Sequence, residues 1–186
     1  MTSIDAKEAA SALSDIASIA YRVRQSTTYS LASLMLILWG VLVFAGNVAT
    51  FLWPWQGAYT WIAVNAVGFL GSCAIGAFES RRMRMLSFDL RAVAAFVLFF
   101  AFGILWSNVL GHFTPRQLGV FWPTYSMMVY TIVGLWVGTA FVAIGLGITA
   151  LTMIGYFFVD GAAFLLWMAV VNGGGLILGG LWMRRS

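Results

Sequence analysis

Charge is scarce in this chain. Ten basic and six acidic residues make up 9% of its 186 residues, while 62% are hydrophobic. An ordinary soluble domain carries about 25% charged and about 45–50% apolar residues. So little charge cannot cover a water-exposed surface of this size. A soluble enzyme, a nucleic-acid-binding domain, a secreted disulfide scaffold and a disordered tail are all excluded as readings of the whole chain. Cysteine is reduced to Cys73 and histidine to His112. One chain therefore offers no disulfide, no cysteine-based or multi-histidine metal site and no bis-histidine haem ligation. The patterns H-E-x2-H, G-x-S-x-G and G-x4-G-K-S/T are missing, as is a paired intramembrane aspartate. No cofactor is implied, and nothing suggests catalysis.

The few charges map the chain. None falls within residues 25–78, 92–115, 117–159 or 161–183. A helix needs about 20 apolar residues to cross about 30 Å of hydrocarbon. The four blocks thus hold two, one, two and one spans, and the fold class is an all-α integral membrane protein with six transmembrane helices. The expected spans are 30–52, 59–78, 92–111, 121–138, 139–159 and 162–183. They form a membrane domain over 30–183, between a cytoplasmic amphipathic segment at 1–29 and a cytoplasmic tail at 184–186. The weakest boundary is the turn between spans four and five, marked only by Gly138 and Thr139.

With an even number of spans and the N-terminus inside, nine of the ten basic residues lie on the cytoplasmic side. Only Arg116 lies outside. This is the positive-inside bias, and it predicts that both termini lie in the cytoplasm. The net charge of +4 then needs no nucleic acid; topology and anionic headgroups account for it. The polar first 25 residues lack the apolar run of a secretory signal, so span one is expected to stay as an anchor. Residues 3–24 read as a helix. Asp5 and Glu8 have capping-box spacing, and Leu13, Ile16, Ala20 and Val23 share one face. That face suits the cytoplasmic leaflet, or else a partner protein or a second protomer.

Trp and Tyr favour membrane interfaces. Trp53, Trp55, Tyr59 and Trp61 surround the first outer loop. Trp106, Trp122 and Tyr125 surround the second, and Tyr156 and Trp167 the third. A shift of 61 residues lays Asn47-Val48, Pro54, Gln56 and Trp61 on Asn108-Val109, Pro115, Gln117 and Trp122. A fainter shift of 106 lays Trp61-x-Ala63-Val64-x3-Gly68 on Trp167-x-Ala169-Val170-x3-Gly174. The expectation is three outward helical hairpins in parallel repeat, each with a Trp at the head of its second helix.

This layout, with a polar start, Gly-rich helices and the tail Trp167-Met-Ala-Val-Val-Asn-Gly-Gly-Gly-Leu-Ile-Leu-Gly-Gly-Leu-Trp-Met-Arg-Arg185, resembles the small six-helix bacterial inner-membrane proteins of the HdeD type. The resemblance implies layout and location only, and it carries over no functional residue.

Ionisable residues inside spans mark transport mechanisms by default, and this chain has essentially none there. The candidates are therefore polar and small. Asn47, Asn65 and Asn108 in the outer parts of spans one to three, with Asn172 mid-span in span six, would line a polar vestibule open to the outside. Their alternative is interhelical hydrogen bonding. Tyr130, Thr149 and Thr152 add polar groups at middle depth. His112 with Asp160 would sense external pH, since His titrates near neutrality. Gly134-x3-Gly138 and Gly175-x3-Gly179 are small-x3-small pairs for close helix packing or homo-oligomer contact. Two functions follow. One is a non-enzymatic accessory, stress-response or sensor protein acting through helix and partner contacts, with a cytoplasmic or membrane protein as partner. The other is a small oligomeric transporter or channel for a neutral or weakly polar solute. A lipid or hydrophobic cofactor held between helices is a third class.

Overall fold

The computed structural model describes residues 6–82 and 90–185, and these are helical with short turns and no strand. Asp5 of the capping-box pair and residues 83–89 of the charged loop lie outside the described residues. Six helical stretches are long and apolar enough to cross a membrane: Tyr29–Leu52, Pro54–Phe78, Val93–Leu110, Pro115–Val137, Thr139–Phe158 and Ala163–Arg185.

Helix α1 spans Ala6–Leu52 without interruption. The segment expected to stand apart through residue 29 is instead continuous with the first span. No proline occurs in this helix and its first glycine is Gly40, so nothing in the sequence breaks it. At 1.5 Å per residue the rod is roughly 70 Å long, about twice the hydrocarbon thickness. Of the apolar stripe Leu13, Ile16, Ala20 and Val23, only the Leu13 side chain is described, and it is exposed.

A 3-10 turn at Pro54–Gln56 leads into α2, Gly57–Arg82. Helix α3, Leu90–Ile104, widens into a π-helical segment over Leu105–Leu110. Helix α4 spans Pro115–Val137, six residues earlier than the charge of Arg116 suggests. Its start is set by chemistry. Thr114 caps the helix, its N–H donates to Gln117 Oε1 at 2.8 Å and the Gln117 N–H donates to Thr114 Oγ1. Pro115 sits at the first helical position, where its missing N–H costs nothing. Gly138 alone joins α4 to α5, Thr139–Phe158, at φ 156° and ψ 155°, a conformation essentially restricted to glycine. The last span is α6, Ala163–Met168, a π-helical segment Ala169–Gly174, and α7, Gly175–Arg185.

The main core joins Leu36 of α1, Met127 of α4, Phe141, Ile144 and Ile148 of α5, and Leu176 and Met183 of α7. Lipid removes most of the hydrophobic drive between helices, so close contact must hold them. The last span supplies it on two sides. Toward α1, a Cβ on Gly173 would lie 2.5 Å from Phe44 Cβ, and one on Gly180 would lie 2.9 Å from the Ser33 carbonyl oxygen. Toward α5, Gly175 and Gly179 face Ile148 and Ile144. Half of the last span is buried, against 11% of the second and third. Spans two and three are thus the outlying pair. Helix α3 joins the body through rings: Phe99 stacks on Tyr125 at 4.6 Å, Phe100 lies 5.6 Å from Trp122, and Phe96 lies 5.4 Å from Phe69 of α2.

Candidate functional site

The four asparagines do not form one site. Asn47 is buried and its Nδ2 donates to Val43 O, one turn back in α1, at 2.9 Å. Asn65 is exposed and donates to Trp61 O at 2.7 Å. Asn108 is exposed in the first π-helical segment and donates to Ser107 Oγ at 3.2 Å. Only Asn172 reaches another helix. Its Oδ1 accepts from Thr152 Oγ1 at 3.2 Å, and its Nδ2 donates to Met168 Sδ at 3.4 Å. Thr152 and Asn172 are 0% and 2% exposed, so this pair is a closed polar link between α5 and the last span. No hydrogen bond joins two of the four asparagines among the described residues. A shallow depression at the α4–α5 joint has Gly134, Trp136, Gly138 and Val142 in its lining and none of the asparagines.

Two further polar groups at middle depth bond or stack locally. Thr149 Oγ1 donates to Gly145 O at 2.7 Å, and the Tyr130 ring stacks on Phe141 at 5.6 Å. Ser33 Oγ is fully buried with no hydrogen-bond partner among the described residues, where Gly180 meets the α1 backbone.

Asp160 meets Arg116 rather than His112. Arg116 Nη1 lies 3.0 Å from Asp160 Oδ1, and Nη2 donates to Tyr156 O at 2.7 Å and Val159 O at 2.8 Å. The guanidinium also lies over the rings of Phe164 and Tyr156, 5.0 and 5.5 Å from their centroids. A cation in the first turn of α4 opposes that helix's own dipole. Arg116 instead serves the carboxyl end of α5, where free carbonyls concentrate negative potential. His112 is exposed in the preceding turn with φ 46°, a region tolerated by histidine more than by most residues.

One relationship recurs beside three of the turns between helices. Trp61 of α2 lies 3.6 Å from where a Cβ on Gly46 of α1 would be. Trp122 of α4 lies 2.6 Å from the same point on Gly103 of α3, and Trp167 of α6 covers Gly155 of α5. Trp167 Nε1 also donates to Leu151 O at 3.0 Å. At Gly103 and Gly155 an indole on the later helix fills the gap left by a missing side chain on the earlier one; at Gly46 Val64 is nearer, at 3.0 Å, and Trp61 packs beside it. The three tryptophans stand out in the sequence repeat, but their glycines do not. Gly46, Gly103 and Gly155 fall at no common offset from the motif.

The glycine pairs have separate places. Gly134 lies against Phe141 and Val142 across the tight α4–α5 joint formed by Gly138. Gly175 and Gly179 face α5, as described above. No protein-family model, curated protein or solved structure matches this chain.

Proposed function

We propose that this chain is a bacterial inner-membrane protein of accessory, stress-response or sensor type, acting through helix and partner contacts rather than by catalysis. In this reading it consists of three outward hairpins with both termini in the cytoplasm. The indole-over-glycine contacts support the hairpins, and the nine-to-one distribution of basic residues supports the orientation. One observation carries the function: polar groups inside the body are closed, while two whole spans are left outlying. Thr152 and Asn172 satisfy each other, and Asn47 turns back to its own helix. Spans two and three, by contrast, keep nearly nine-tenths of their windows unburied. A body built this way offers contact surface more readily than a lined path.

Transport is the second reading, and the exposure of Asn65 and Asn108 favours it, because several copies would be needed to wall a polar path from them. Flux in proteoliposomes separates the two. The contact reading expects no solute-specific flux, and a partner that co-purifies and is lost on deleting residues 1–24. Flux abolished by Asn47→Leu or Asn108→Leu overturns it.

A further inference from the structure

We infer that the outlying face of α2 is the docking surface for a second copy of this chain, centred on Asn65. The inference rests on the contact reading above and names its partner.

The inner side of α2 is already occupied. Val64 is buried, Gly68 and Ser72 receive Trp39 of α1, and Gly71 receives Leu38. Away from α1, Ala58, Ile62, Asn65, Phe69, Cys73 and Gly76 recur at three and four residues, so they lie along one side. All are exposed except Gly76, and a Cβ on Gly76 would meet nothing within 4 Å. Phe69, in the middle of this side, also touches Phe96 of α3, with ring centroids 5.4 Å apart, and stays partly exposed beside it.

Asn65 is what an apolar face does not explain. It falls close to the midpoint of Pro54–Phe78, roughly 16–20 Å from either end at 1.5 Å per residue. Asn108, also exposed, sits two residues from the end of its span, within reach of interfacial water. An amide has two N–H donors and an accepting oxygen. Trp61 O takes one donor, and the other donor and Oδ1 have no partner among the described residues. At that depth in lipid no water is at hand to satisfy such a group, so leaving it unpaired is costly.

A second copy related by a two-fold axis removes this cost with groups the chain already has. The free N–H of each Asn65 donates to Oδ1 of the other, and both amides are satisfied by the same operation. Ala58, Cys73 and Gly76 are small enough to let the two helices approach, and Ile62 and Phe69 flank the amide pair one turn to each side. Self-complementarity favours a second copy over an unrelated partner, which would have to supply a matching amide at the same depth.

The full chain in phosphatidylethanolamine–phosphatidylglycerol vesicles tests this, with the dimer fraction measured against protein-to-lipid ratio. The expected result is a dimer that an oxidant cross-links through native Cys73. Asn65→Leu should weaken it about tenfold, while Asn65→Gln keeps it and Asn108→Leu leaves it unchanged. An unaltered melting temperature for Asn65→Leu shows that the variant is folded. The inference is overturned by an undiminished Asn65→Leu dimer, by a wild type that is monomeric at every ratio, or by a dimer that Cys73 cannot cross-link. A monomer that still co-purifies with a different membrane protein overturns the second copy and leaves the contact reading standing. Solute flux overturns the contact reading itself.

Discussion

Arg116 and Asp160 stand 3.0 Å apart, yet the Asp160 side chain is 91% exposed and the Arg116 side chain 34%. An exposed ion pair of this kind contributes about 0–1 kcal/mol. The two carbonyls that Arg116 also holds close the end of α5, and hydrogen bonds to a charged group are worth roughly 1.5–3 kcal/mol each. Asp160→Asn should therefore change stability by less than about 1 kcal/mol, and Arg116→Ala by about 2 kcal/mol. Arg116→Lys should recover little, because lysine lacks the planar fork. Unfolding in detergent checks the order; equal losses for Asp160→Asn and Arg116→Ala would contradict it.

Gly173 and Gly174 are neighbours with opposite surroundings. A Cβ on Gly173 would overlap the Phe44 backbone, and one on Gly174 meets nothing within 4 Å. Gly173→Ala should cost about 1–3 kcal/mol through overpacking. Gly174→Ala should be neutral or slightly stabilising, since alanine restricts the unfolded chain. Thermal denaturation of the two single variants is the comparison needed.

The indole-over-glycine contacts predict a compensating pair. Gly155→Ala pushes into the Trp167 ring and should lower the melting temperature. Adding Trp167→Leu should return part of the loss, because the side chain in the way becomes smaller. A double variant no better than the sum of the singles would show that ring and glycine act independently.

Buried hydroxyls should divide by whether they are used. Thr152→Val leaves Asn172 Oδ1 without its donor and should cost roughly 1–3 kcal/mol. A double-mutant cycle with Asn172→Leu should return a coupling of about 0.6–2 kcal/mol. Ser33 has no partner among the described residues, so Ser33→Ala should be neutral or stabilising. A large loss at Ser33 would reveal a hydrogen bond absent from this arrangement.

Orientation is open to direct labelling. In a Cys73→Ser background, a cysteine at His112 should react with an impermeant thiol reagent applied to intact cells. A cysteine at Ser186 should react only after permeabilisation. The reverse pattern would invert the topology.

Six spans were legible in the sequence because charges are costly in lipid, so their absence outlines the crossings. Local chemistry explains where the outline shifts. Arg116 argues against a helix before residue 121, but Thr114-x2-Gln117 is a capping signature and Arg116 finds its partners on α5. Position along a span was less legible than position on a face. Asn65 moves from the outer part to the middle of its span because the helical stretch begins at the Pro54 turn rather than at residue 59. The spacing of Phe96, Phe99 and Phe100 marks a ring-bearing side of α3, but not that Trp122 and Tyr125 meet it. The two π-helical segments have no visible signature in the sequence, since they depend on how neighbouring helices pack.

The glycines of the last span have a consequence for assembly. A stretch holding Gly173, Gly174, Gly175, Gly179 and Gly180 is a weak helix by itself, and its shape makes sense only in a slot walled by α1 on one side and α5 on the other. Both walls come earlier in the chain. The segment that most needs a finished slot is thus made after the helices that form it.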